Sequence, residues 1–63
     1  MTVYYETYKN LLLEIFYTEE GFCYAACEHP FKLESLESEL CSDAKQAFER
    51  LKSKIDFIYA GLS

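Results

Sequence analysis

Residues 11 to 27 read LLLEIFYTEEGFCYAAC, two apolar runs separated by a short polar one. Aromatic and aliphatic residues run up to Glu19-Glu20-Gly21 and resume immediately after it. Gly21 is the residue that can take a positive φ at no steric cost, so the stretch predicts two strands joined by a short polar turn. A hairpin places alternate residues on opposite faces.

Toward the N-terminus, Val3 to Asn10 reads VYYETYKN. Continued to Tyr17 as a helix, it would put Tyr4, Tyr8, Leu11, Leu12, Ile15 and Phe16 on one stripe. A strand is preferred, because aromatic-rich segments pack well on a pleated surface and no strong N-cap precedes the apolar pattern. Lys9-Asn10 is then a tight turn, and residues 3–28 form a hairpin or a three-stranded antiparallel meander. In that meander Tyr4, Tyr8, Leu11, Leu13, Ile15, Tyr17, Cys23, Ala25 and Cys27 share one face. Ala25 and the two thiols leave room there for a helix to lie close. The opposite face carries Val3, Tyr5, Leu12, Glu14, Phe16, Phe22, Tyr24 and Ala26, which is strongly apolar for a surface left in water.

On the C-terminal side, Pro30 removes a ladder donor and ends the second strand. From Leu33 the period turns helical. Leu33, Leu36 and Leu40, then Ala44, Ala47, Phe48, Leu51, Ile55, Ile58 and Leu62, recur at steps of three or four. One unbroken helix from Leu33 to Tyr59 would be about 40 Å long, far longer than the strands it must cover, so a break is expected near Cys41-Ser42-Asp43. Ser42 is the expected cap of a second helix over roughly 43–59, with Asp43 in its first turn. Gly61 is the expected left-handed residue after its end. The fold class predicted is α+β, a small antiparallel sheet packed on one face by C-terminal helix. All 63 residues form a single domain, and a chain of this size is marginal without further burial.

Composition narrows the function. Hydrophobic residues make up 51% of the chain and eleven residues are Tyr or Phe, which excludes a disordered segment. There is no run of eighteen apolar residues, and the Met1 end lacks the pattern of a secretory signal. A soluble, cytoplasmic protein is therefore expected, with no membrane partner. The formal charge is −5, and between Glu14 and Asp43 eight acids face one base, Lys32. That field repels phosphate backbones and argues against nucleic acid as a direct ligand, while favouring encounter with a basic protein. On the C-terminal helix Lys45, Arg50, Lys52 and Lys54 are interleaved with Glu49 and Asp56, so they form no basic stripe.

Cys23, Cys27, His29 and Cys41 are the candidate soft metal ligands, and three thiols with one imidazole would suit zinc. Within a strand, however, Cys23 and Cys27 stand about 13 Å apart, too far for one tetrahedral ion. No metal and no other cofactor is therefore assigned, a structural zinc module on these cysteines standing as a further alternative, and the thiols read as buried and reduced. His29 beside Glu28 and Cys27 lacks an oxyanion site, and no catalytic residue is assigned. A non-enzymatic protein-interaction module is expected, self-associating as a homodimer through Leu12, Phe16, Phe22 and Tyr24. Large rigid aromatic side chains suit a protein interface.

The order of elements also resembles one known family. An apolar strand, an acidic turn ending in Glu20-Gly21-Phe22, a second apolar strand, a loop marked by Pro30, and Asp43-Ala44-Lys45-Gln46-Ala47 opening an amphipathic helix look like the N-terminal domain of HicB-type antitoxins. The likeness covers the layout of residues 11–59. It implies a small acidic protein that covers a basic RNA-cleaving toxin, with toxin-facing residues that the matching positions do not identify.

Overall fold

The computed structural model describes residues 4–61. Val3 and Leu62, assigned above to the outer sheet face and the helix stripe, lie outside them. Four strands, β1 (Tyr5–Tyr8), β2 (Leu11–Tyr17), β3 (Cys23–Glu28) and β4 (Ser35–Glu37), are followed by one helix, α1 (Ala44–Ala60). The strands form one antiparallel sheet in the order β1-β2-β3-β4, with the helix packed against it. This is the α+β class that the sequence predicts, with one more strand.

Each turn of the meander has its own chemistry. Lys9 and Asn10 both take positive φ, 51° and 68°, the geometry in which a two-residue turn follows the right-handed twist of its strands. Segment 4–17 is thus the strand pair rather than the helix that also fits its spacing. At the next turn Gly21 has φ 93°. The Gly21 amide donates to the Thr18 carbonyl at 3.2 Å, and the Thr18 amide donates to the Phe22 carbonyl at 2.8 Å. Glu19-Glu20-Gly21 is therefore a three-residue loop.

The register runs Glu6 opposite Leu13, Ile15 opposite Ala25, and Cys27 opposite Leu36. Leu13, Ile15, Cys23, Ala25 and Cys27 are buried under the helix, which contributes Ala47, Leu51 and Ile55. The helix lies chiefly over β3, where Ala25 and the thiols are small enough to let it approach. Seventeen residues give it a length of about 26 Å, matching a sheet whose longest strand spans about 23 Å.

The segment from Leu33 to Leu40 departs from expectation. It forms no helix: Ser35–Glu37 pairs with β3, and Leu33 and Leu40 are exposed. Leu36 sits opposite Cys27 and packs against the core. Two terms outweigh the leucine spacing. A helix of two turns without a cap is marginal in water, and without β4 the ladder groups of β3 would lie open. Ser35 and Glu37 point outward while Leu36 and Ser38 point inward, an alternation of period two.

After β4 the pairing slips by one residue. Ser38 stands opposite Ala25, and the Ser38 amide donates to the Ala25 carbonyl at 2.9 Å. Cys41, not residue 40, then pairs with Cys23 through two backbone bonds of 2.9 and 2.7 Å. The helix begins just beyond. Its cap is Asp43 rather than Ser42: the Asp43 backbone is extended, and its carboxylate accepts the Gln46 amide at 2.7 Å. A carboxylate also offsets the positive end of the helix dipole, which a hydroxyl does not. Gly61 ends the helix in the right-handed region, φ −70° and ψ −10°, its amide donating to the Phe57 carbonyl. It is not the left-handed cap expected.

Candidate interaction surface

The strand pleat fixes which residues face away from the helix. Outward along the strands lie Tyr5 and Thr7 on β1, Leu12, Glu14 and Phe16 on β2, Tyr24, Ala26 and Glu28 on β3, and Ser35 and Glu37 on β4. No element of the described chain covers this face. Leu12 is 50% exposed, Phe16 38% and Phe22 47%, and Tyr24 is half-buried.

Of the four residues expected to form the interface, Phe16 and Tyr24 are brought into direct contact. They are cross-strand partners, with ring centroids 5.6 Å apart and planes inclined by 27°. Such a pair is worth about 0.5–1.5 kcal/mol beyond its buried area and holds two large rings in fixed orientation. Phe22 stands at the same end, just outside β3, where its amide donates to the Thr18 hydroxyl at 3.2 Å. Leu12 does not join them. It lies four residues from Phe16 on β2, about 13 Å away, with Glu14 between.

Reading β4 as helix hid part of this surface. With Ser35–Glu37 in the sheet, Tyr5, Glu14, Ala26 and Glu37 fall in one row across it, and Glu28 in the next. The outer face therefore carries three carboxylates and, within its strands, no base. Among the described residues none of Glu14, Glu28 and Glu37 forms an ion pair. Period-two alternation through Ser35-Leu36-Glu37 is the signal that would have placed Glu37 there.

Two of the bases are engaged on the opposite side of the sheet. The Lys9 ammonium and the Tyr8 hydroxyl both donate to one Asp56 carboxylate oxygen, at 2.8 and 2.7 Å. Lys52 pairs with Glu6 at 2.8 Å, and both lysines stand over the Tyr8 ring at about 5.5 Å. The hydrogen bond from Lys9, then that from Tyr8, holds the Asp56 carboxyl below the usual range. These contacts tie β1 to α1 and consume charges that could otherwise serve a ligand. Arg50 is different: it is exposed and makes no ion pair among the described residues.

The thiols are structural in their surroundings. Cys23, Cys27 and Cys41 are free and buried. Burial, reinforced by Cys41, pushes the Cys23 thiol up, and burial pushes Cys27 up as well. Cys41 donates to the Glu39 carbonyl at 3.3 Å. Cys27 is on the same strand as Cys23, and the His29 imidazole accepts the Phe31 amide through Nδ1 at 3.1 Å. Among the described residues no three His, Cys, Asp or Glu side chains gather as a metal site. Nor is any described helix long and apolar enough to cross a membrane.

No family model, no curated protein and no solved structure matches this chain.

Proposed function

We propose that this chain is a small cytoplasmic protein-interaction module that works by binding and not by catalysis, and that it associates with itself through the outer sheet face. The observation that carries this reading is the Phe16–Tyr24 stack, held rigidly on two central strands and left open to solvent beside Phe22. Aromatic anchors on rigid elements give the most contact area for the fewest lost rotamers. Three reduced thiols fit a reducing compartment.

Sedimentation over a concentration series tests it. The parent chain should associate, and Phe16→Glu should be monomeric while keeping the helical circular dichroism of the parent. A parent that stays monomeric at high concentration, or a folded Phe16→Glu that associates unchanged, would sink the reading.

Glu14, Glu28 and Glu37 favour a second reading of the same face, as the contact of an antitoxin-like inhibitor with a basic RNA-cleaving protein. Carboxylates that form no ion pair among the described residues complement such a partner. Recovery of a basic protein with the parent chain, but not with Phe16→Glu, would distinguish it.

A further inference from the structure

Self-association through this face meets an electrostatic obstacle if the two copies use the same face. An isologous contact would bring Glu14, Glu28 and Glu37 of one copy against the same three carboxylates of the other, with no base on the sheet to separate them. Like charges brought together in a desolvated contact cost affinity. The chain offers a better complement elsewhere. The helix carries four bases and two acids, whereas the rest of the chain carries two bases and nine acids. Beside β4, on the side of the sheet away from the aromatic face, a groove of about 490 Å³ runs between the strand and α1. Leu36, Phe57 and Ile58 supply its apolar wall, and Arg50 and Lys54 its charge. Glu39 is the single acid lining it.

From this complementarity, and resting on the proposed self-association, we infer that the groove between α1 and β4 of one copy receives the Phe16–Tyr24 end of the sheet of a second copy, head to tail. Phe57 is 82% exposed, which is unusual for a phenylalanine on a helix whose other face is fully packed. The Arg50 guanidinium has no ion-pair partner among the described residues. Lys54 donates to the Glu37 carbonyl at 2.7 Å, which holds its ammonium at the rim of the groove with further protons to give. Apolar rings meet apolar wall, and carboxylates meet a guanidinium and an ammonium. Because the two surfaces differ, each copy keeps one free when the other is filled, so assembly passes beyond a dimer into a ring or a filament.

Mixing two defective variants reads this directly. Phe16→Glu spoils the sheet face and leaves the groove intact, while Phe57→Glu does the reverse. Each alone should sediment as a monomer, with association weakened roughly 100-fold, the scale of losing one buried aromatic anchor. An equimolar mixture should form a 1:1 dimer that grows no further. Raising salt should dissociate the parent assembly, because opposite charges attract across it. A Phe57→Glu variant that associates like the parent, or a mixture that stays monomeric, overturns the head-to-tail contact. If Phe16→Glu is still monomeric in that case, the sheet face stands as the contact surface. A parent monomeric at high concentration overturns both. Should either glutamate variant lose its helical signal, Phe16→Ser and Phe57→Ser replace them in the same mixing experiment.

Discussion

The hydroxyl of Ser38 accepts the amide hydrogen of Ala25 at 2.9 Å, in a buried setting, and passes its own hydrogen to the Glu39 carbonyl at 2.9 Å. It occupies the place that a strand carbonyl would fill if β4 continued in register. The side chain thereby repairs the ladder where the pairing slips between Ser38 and Cys41.

Ser38→Ala should leave the Ala25 amide buried without an acceptor. The expected loss is about 1–3 kcal/mol of unfolding free energy, the cost of an unsatisfied buried donor. Urea unfolding monitored by circular dichroism measures it. A variant as stable as the parent would mean that water takes the place of the hydroxyl.

Asp56→Asn should weaken the attachment of β1 to the helix, because Lys9 and Tyr8 lose the charge they share. The Asp56 carboxyl is held below its ordinary value, chiefly by Lys9. Its contribution is therefore complete above about pH 4 and disappears as the pH falls through the lower value of the folded state. Thermal melts should show the variant less stable than the parent at pH 7, and the gap should close in acid. A gap that persists unchanged at pH 2 would contradict the assignment.

The meander was legible because strand alternation and turn chemistry agree: Leu13, Ile15, Cys23, Ala25 and Cys27 are apolar or small at every second position, and Gly21 marks the turn. The Lys9-Asn10 turn was legible through its spacing, although neither residue is glycine. The segment after Pro30 was not. Leu33, Leu36 and Leu40 mimic a helical stripe, yet a strand of three residues leaves too short an alternation to compete with it. Ser35–Glu37 is strand for a tertiary reason, the open ladder of β3, which local pattern does not contain. The same tertiary dependence hides Glu37 as a neighbour of the aromatic face, whereas Leu12, Phe16, Phe22 and Tyr24 follow from strand alternation. Phe57 lies within the helix but its groove exists by virtue of β4, so local pattern does not single it out.

Gly21→Ala isolates the backbone contribution of the central turn. A Cβ at this position would meet no heavy atom within 4 Å, so the substitution acts through φ 93° alone. Destabilisation of about 1–2 kcal/mol is expected, the usual cost of a positive φ for an L residue. Equilibrium unfolding checks it, and an unchanged midpoint would show that the loop relaxes to another turn type.

The two-bond bridge between Cys23 and Cys41 also governs how the molecule opens. It fastens the chain to the start of β3 two residues before the cap of the helix, so the N-terminal end of α1 cannot lift from the sheet while that bridge holds. The far end has no backbone bridge of this kind among the described residues: past Ile55 the helix is held by side chains, the Asp56 carboxylate with Tyr8 and Lys9 and the Tyr59 ring against Phe31, 5.4 Å apart. Opening is therefore directional, with the last turn peeling first and the Cys23 and Cys41 amides surrendering their hydrogens to solvent at the level of whole-molecule unfolding.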